Sequence, residues 1–287
     1  DNKADVTIAA YVVPSSEANQ FGCIATDANG RIIDFVEKPS VPPEIPGRSG
    51  FSFVSMGNYI FEREILEESV LADNEKKEST HDFGRDIIPS LYKSHKVMAY
   101  DFSTNVLPGG DRPYWKDVGN IKAYWEAHMD LLKHPSELSL YNQQWPIRTV
   151  SYSDPPGFTY PAADHSCSVD GCLRAEASRV LGAYVRKSVL SRNCVIKPGA
   201  VVEESIIGQN VEVGENCRLR RVIVDAHNII PPGTSIGFDP VEDAQKYHLD
   251  PTSGIVVLGM PKIQLRKKLI IPGSYEQLFR SPDEIGF

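Results

Sequence analysis

The chain has 287 residues, 41% hydrophobic and 24% charged, a globular composition long enough for one large or two ordinary domains. Its formal net charge of −8 argues against a general nucleic-acid or anionic-membrane surface but leaves room for a local cationic pocket. No apolar run reaches the roughly 18–20 residues of a membrane span.

In chain order, "VTIAAYVVP" predicts a buried strand ended by Pro14. "GCIATD" and "RIIDFVEKP" predict a hairpin turning at Asn29-Gly30. "SMGNYIF" predicts another buried strand. "EREILEESVLA" follows at helical spacing, with Ile65, Leu66 and Val70 on one side. "HDFGRDIIPSLYKS" reads as a short helix around Pro89, where His81 could be a catalytic base or, with Asp82, have a capping or structural role. "KVMAYDF" is a strand, and "NIKAYWEAHMDLLK" an amphipathic helix capped by Asn120. Alternating strands and helices predict an α/β domain over residues 1–133.

Residues 134–160 are rich in proline and turn residues and read as a linker or strap. Tyr141 and Trp145 favour a packed strap. From Val189 the grammar changes. Apolar residues recur every six positions at Val189, Val195, Val201, Ile207, Val213 and Leu219. Glycines 208, 214 and 237 stand where tight corners are expected. A period of six fits a triangular solenoid whose three sides each turn one apolar residue inward. Such hexapeptide coils resemble the left-handed parallel β-helix, expected over 161–260. The repeat is read as fading at Asp225, followed by a helix or turn in "VEDAQKYHLD" and a closing strand in "GIVVLGM". Residues 261–287 form a tail that caps the solenoid or is poorly ordered.

Three pieces of the first half could carry chemistry. Glu37-Lys38-Pro39 ends a strand with an acid and a base. A carboxylate can accept two sugar hydroxyls, and a lysine is a point charge for phosphate. The bland alternative is a solvated pair before a proline turn. In "PYWKDVGN", Asp117 could ligate Mg²⁺ or cap the next helix. In "FVSMGNYIF", Ser55 could bond a ligand and Gly57 admit one, or the pair could mark a kinked core strand. The cysteines, Cys23, Cys167, Cys172, Cys194 and Cys217, are odd in number and lack C-x-x-C spacing. Neither a disulfide framework nor a zinc site is indicated, and Cys167 and Cys172 read as packing residues. Reduced thiols, and no basic-then-apolar leader, fit a cytoplasmic protein.

Taken in order, "FGCIATDANGRIIDFVEKP", "FVSMGNYIF", "HDFGRDIIP", "YWKDVGNIKAYW", "LYNQQWPIRT" and the hexapeptide coils resemble ADP-glucose pyrophosphorylase (glucose-1-phosphate adenylyltransferase) of the bacterial glycogen-synthesis type. The resemblance runs from about Asp5 to about Met260. It implies a Rossmann-like mixed sheet, here a partial nucleotidyltransferase domain, followed by the β-helix. It implies attack of glucose 1-phosphate on the α-phosphorus of ATP, with Mg²⁺, giving ADP-glucose and pyrophosphate. By motif, Glu37 would hold glucose hydroxyls and Lys38 the sugar phosphate. Ser55 and the Gly22 backbone would line the sugar pocket. Asp117 would be one of two Mg²⁺ carboxylates, with Trp115 shaping the site.

The family's glycine-rich G-G-x-G-T-R-L loop is not found in the sequence, which also starts at Asp1 rather than Met. The expectation is a chain carrying the sugar side of the pocket, inactive alone. The resemblance also implies a regulated homotetramer with an effector between its domains. Arg186, Lys187, Arg192, Lys197, Arg218, Arg220 and Arg221 are candidate cations for a phosphorylated effector. The position after the aspartate of "VIVD", an arginine in related enterobacterial enzymes, is Ala226, so the same nucleotide effector is not implied. Three rival readings stay open: a relative using another nucleotide, a hexapeptide acyltransferase working through His227, and a non-catalytic regulatory or assembly subunit.

Overall fold

The computed structural model describes residues 3–110, 112–162 and 164–261. The 261–287 tail therefore lies outside the described residues except for Pro261.

The first domain is built on one mixed sheet. Its strands are β1 (Val6–Pro14), β2 (Gly22–Thr26), β3 (Ile32–Glu37), β4 (Phe51–Phe61) and β5 (Val97–Asp101), in the order β3-β2-β4-β1-β5. β1 runs parallel to β5, and the other pairs are antiparallel. Val6, Ile8, Ala10, Ile24, Ile32, Phe35 and Val97 form its core with Ile87, Ile88 and Leu91. Ile87 comes from a π-helical turn, Phe83–Ile87, and Ile88 and Leu91 from the short helix α2 (Ile88–Leu91) that follows it, while helix α1 (Arg63–Asn74) precedes both in sequence.

Helix α1 differs from its predicted face. Val70 is exposed, and the inward stripe instead carries Ile65, Ser69 and the buried carboxylate of Asp73. These residues stand four apart, one above the other on a helix. Helix α3 (Ile121–Asp130) starts at Asn120, whose Oδ1 accepts the Ala123 amide at 2.9 Å.

The second domain is a parallel β-solenoid with three sheets of five, six and five short strands. Its first strand, Phe158–Tyr160, lies within residues 134–160. The coil is shorter than three hexapeptides. Val201 pairs with Arg218, Ile206 with Ile223 and Glu212 with Ile229, each 17 residues on. The inward residues are Leu190, Ile196, Val202, Ile207, Val213, Leu219, Val224, Ile230 and Ile236, all buried. Val189, Val195 and Val201 therefore sit one position outside the core. The repeat does not fade at Asp225 either. It continues through Val224 to Ile236, followed by a helix α4 (Pro240–Lys246) and the strand Val256–Leu258.

The corners are made by residues in the left-handed region, stacked 17 apart: Lys187, Glu204 and Arg221; Asn193, Asn210 and His227; Gly182, Gly199, Asn216 and Gly233. Gly208 and Gly214 serve another purpose. A Cβ on either would lie within 2.7 Å of the next coil's backbone, so they permit close stacking.

Tyr141 and Trp145 are both exposed, so they do not pack the strap down. The strap is tied instead by polar contacts. Asn142 Nδ2 donates to Pro108 O at 2.7 Å, and Asp154 pairs with Arg192 at 2.6 Å while Tyr152 stacks beneath the same guanidinium.

Helix α3 lies on the solenoid. Ile121, Trp125 and Met129 pack on Ile206, Ile223 and Ile255, and Trp125 Nε1 donates to Glu204 O at 2.7 Å. Arg221 lies over the Trp125 ring at 4.8 Å.

Candidate active site

Antiparallel pairing sets Gly22 opposite Glu37 at the open end of the β2–β3 hairpin. A Cβ on Gly22 would stand 2.9 Å from Glu37 Oε2 and 2.9 Å from Phe35 Cζ. Only hydrogen fits there, and the absent side chain is what lets the Glu37 carboxylate fold back over β2.

The neighbouring wall comes from an irregularity in β4. Ile8 pairs with Tyr59 and Ala10 with Ser55, so three residues, Met56–Asn58, face the single Ala9. Gly57 takes a φ of 73° in open space, a conformation glycine adopts without strain. Its amide donates to Ser55 Oγ at 3.2 Å. This bulge directs Ser55 and Tyr59 toward Glu37.

The third wall is the 79–84 segment. Asp82 Oδ1 caps the π-helical turn by accepting the Arg85 amide at 2.8 Å. Asp86 holds the same segment through the Thr80 hydroxyl and the Thr80 and Asp82 amides. Phe83 stacks on Tyr59 with ring centres 5.7 Å apart.

Together these walls enclose an open cleft of about 400 Å³, lined by Gly22, Phe35, Glu37, Ser55, Gly57, Tyr59, His81, Asp82, Phe83 and Gly84. Burial pushes the Tyr59 phenol up from its usual range, and the Asp82 and Glu37 carboxylates add to this while the Ser55 hydrogen bond opposes it. Tyr59 is therefore a neutral donor at physiological pH. A cleft of two carboxylates, two hydroxyls and an aromatic floor has the chemistry of a polyol site.

Of the residues expected from sequence, Gly22, Glu37 and Ser55 line this cleft. Lys38, Trp115 and Asp117 lie outside its lining. Lys38 turns away from the strand with a φ of 50°, its amide bonded to Phe21 O at 3.0 Å. Trp115 packs against Tyr11 and Phe21, on the cluster of Ala18, Cys23 and Val54 behind β2. Asp117 is exposed, and its Oδ1 accepts the Gly119 amide at 2.9 Å. One oxygen stays free, which fits a single arm of a Mg²⁺ site completed by phosphates and water. Among the described residues no group of three His, Cys, Asp or Glu could hold a metal alone.

Tyr59, Asp82 and Phe83 were not picked out as site residues. The available signal was "HDFG", whose acid and aromatic stand beside a glycine. His81 and Asp82 do have the structural roles expected of them, and they also line the cleft.

Of the seven candidate effector cations, Arg186 and Arg220 stand either side of Glu203 in one sheet, and Lys187 and Arg221 take the same corner two coils apart. Arg186 is bonded to Glu203 at 2.8 Å, Arg192 to Asp154 at 2.6 Å and Lys197 to Glu212 at 2.5 Å. Arg218 lies over Phe238 at 4.4 Å. A cavity of about 480 Å³ does open between α3 and the solenoid, lined among others by Asn120, His128, Ser191, Gly208 and Asp225. None of the seven lines it. His227 occupies a left-handed corner with its Nδ1 3.4 Å from Asn210 Nδ2, in a ladder begun by Asn193 and Asn210.

Residues 1–134 match the nucleotidyl transferase family, and residues 154–258 match the GlmU-like, C-terminal hexapeptide family. Along both domains the chain is 41% identical to the glucose-1-phosphate adenylyltransferase of Photobacterium profundum, over 90% of this chain and 64% of the relative. The chain belongs to the glucose-1-phosphate adenylyltransferase family. The proteins of that name from Aliivibrio fischeri and Deinococcus radiodurans are 45% and 42% identical, over 89% and 90% of this chain and 63% of each relative. The chain thus spans a little under two thirds of the length of these family members. No described helix is long and apolar enough to cross a membrane.

Proposed function

We propose that this chain supplies the sugar-phosphate side of a glucose-1-phosphate adenylyltransferase site. The reaction joins ATP and glucose 1-phosphate. A phosphate oxygen of the sugar attacks the α-phosphorus of ATP, the bond to the β-phosphate breaks, and pyrophosphate leaves with the electron pair. The observation that carries the reading is the Gly22–Glu37 cradle opening onto Ser55, Tyr59 and Asp82 in one cleft.

In this reading Glu37 and Asp82 accept sugar hydroxyls, and Ser55 and Tyr59 donate to sugar oxygens. Lys38, at the end of the same strand, meets the phosphate as a mobile charge. Asp117 would contribute one carboxylate oxygen to Mg²⁺. When bound, the ion would neutralise phosphate charge. The residues' own work is positioning, since holding two reactants in line removes much of the barrier.

Family membership supports a cytoplasmic homotetramer regulated by a phosphorylated metabolite. Among the described residues Lys187, Arg218, Arg220 and Arg221 have no carboxylate partner, so they are the cations best placed to meet one. The acyltransferase reading loses support from His227, which is engaged in a corner ladder rather than facing a cavity.

Calorimetric titration of glucose 1-phosphate tests the reading. The wild-type chain should bind it, and Lys38→Ala and Glu37→Gln should each weaken binding by roughly tenfold or more, the size of one charge-assisted hydrogen bond. Equal affinity in all three proteins, or saturable acyl-CoA binding in place of sugar-phosphate binding, would overturn it.

A further inference from the structure

His81 has two unusual features beyond its place in the cleft wall. It holds a φ of 59°, which a non-glycine residue rarely adopts. Its Nδ1 lies 2.9 Å from Oδ2 of Asp73, a carboxylate only 3% exposed on α1. Such a buried acid needs partners, and it has them. Ser79 Oγ sits 2.9 and 2.8 Å from its two oxygens, and the His81 amide donates back to Ser79 Oγ at 3.0 Å. Hydrogen bonding by His81 and Ser79 holds the Asp73 carboxyl below the usual carboxylate range. Asp73 is thus an acceptor, and His81 Nδ1 carries the proton shared between them.

This arrangement fixes the ring. With Nδ1–H committed to Asp73, Nε2 is the nitrogen left for the cleft, and no described group bonds it. The side chain remains about half exposed, so the ring edge is accessible to a ligand. Around it stand Glu37, Ser55, Tyr59 and Asp82, groups that bind hydroxyls. No lysine or arginine lines this end of the cleft.

We infer that His81 Nε2 is a ligand for one hydroxyl of the bound sugar, and that Asp73 is the positioning residue that aims it. The inference rests on the sugar-phosphate reading of the cleft and assigns it a specificity contact. The segment "THDFG" thereby acquires a partner from α1, Asp73.

The test uses the full chain and two variants. His81→Asn keeps a residue that tolerates the left-handed region but is too short to present a nitrogen at the same place. Its fold is checked by circular dichroism and melting temperature. Wild type and His81→Asn are titrated with glucose 1-phosphate, with each of its monodeoxy analogues, and with inorganic phosphate. Long-range proton–nitrogen NMR reads the His81 tautomer in wild type and in Asp73→Asn, with no ligand present.

His81→Asn should bind glucose 1-phosphate about tenfold more weakly, the upper end for one neutral hydrogen bond. One deoxy analogue should lose a similar factor on wild type and nothing further on the variant. Inorganic phosphate should bind both alike. The Nδ1–H tautomer should be dominant in wild type and lost in Asp73→Asn, whose glucose 1-phosphate affinity should also fall.

Unchanged affinity in His81→Asn, equal losses for every analogue on both proteins, or a matching loss for inorganic phosphate would overturn the inference while leaving the sugar-phosphate reading intact. Absence of glucose 1-phosphate binding to wild type would overturn both.

Discussion

Gly22→Ala isolates the geometry of the cleft from its chemistry. The substitution removes no polar group and needs no unusual backbone, because Gly22 lies in an ordinary strand. Yet the new methyl would stand 2.9 Å from Glu37 Oε2 and from Phe35 Cζ. Real Cβ contacts begin about half an ångström further out, so the carboxylate must swing away. Phe35 is buried in the core and cannot yield freely, which leaves Glu37 to move. Misplacing a carboxylate that accepts sugar hydroxyls forfeits about 1.5–3 kcal/mol, or roughly 10- to 150-fold in Kd. Stability should change less. Overpacking costs about 1–3 kcal/mol, and replacing a strand glycine by alanine returns about 0.5–1 kcal/mol. Calorimetry with glucose 1-phosphate and a urea melt measure both quantities on one preparation. Gly84→Ala is the control, since its Cβ would meet Asp82 Oδ1 at an ordinary 3.4 Å. A Gly22→Ala protein that binds glucose 1-phosphate like wild type would refute the role of the cradle.

Trp125→Phe should cost about 1–3 kcal/mol, because the part-buried Glu204 carbonyl loses its 2.7 Å donor, and a calorimetric scan should show the lower melting temperature. An unchanged scan would count against α3 as the clasp between the domains. Gly208→Ala should cost about 3 kcal/mol, since its Cβ would meet Val224 O at 2.7 Å and Ala226 N at 2.8 Å. Gly233→Ala, at a φ of 75° in open space, should cost only about 1–2 kcal/mol of backbone strain. Equal urea midpoints for the two would remove the close-stacking argument. Alkaline pH should destabilise the fold. Burial, aided by the Glu37 charge, pushes the Cys23 thiol up to about 11, and burial pushes Cys194 up to about 12. Above the ordinary thiol value of 9.0 the unfolded chain loses protons that the folded chain keeps, so stability falls as pH rises toward these values. The slope approaches about 1.4 kcal/mol per pH unit for each thiol, and Cys23→Ala or Cys194→Ala should flatten it in urea melts at pH 9–11.

The strands and helices of the first domain were legible because each carries its own period and its own stop. Pro14 ends β1, Gly30 makes the hairpin turn at a φ of 77°, and Asn120 caps α3. The cleft was legible only in part. Glu37 and Ser55 announce themselves by local sequence, as a charged strand end and a small polar residue inside a strand, whereas Gly22 came only through the family resemblance. Tyr59 and Asp73 do not. Tyr59 reads as core until the three-for-one bulge opposite Ala9 turns it into the cleft. Asp73 sits in a helix whose apolar spacing pointed to Val70, and nothing local tells that a carboxylate takes the inward place. Its burial is decided by Ser79 and His81, which come from the following turn.

The solenoid makes the same point about distance. A strict period of six drifts off the core because each coil has 17 residues rather than 18. The inward positions run six, six and five apart, from Leu190 through Ile196, Val202 and Ile207. The short step always crosses the corner formed by Lys187, Glu204 and Arg221. At that corner serine hydroxyls join the ladder: Ser188 Oγ accepts the Ser205 amide, and Ser205 Oγ accepts the Val222 amide, both at 3.1 Å. Beside the short corner the chain carries doubled apolar residues, Ile206-Ile207 and Ile223-Val224. The second of each pair fills the core, and the first lies under α3. A solenoid with isolated inward residues needs no partner for its faces. One with doubled residues at a 17-residue spacing has a second apolar row to cover, and α3 covers it. The helix that does so begins at Ile121, four residues after Asp117. The missing residue in each coil and the placement of the Asp117 loop are therefore one structural problem, solved at Trp125, Glu204 and Arg221.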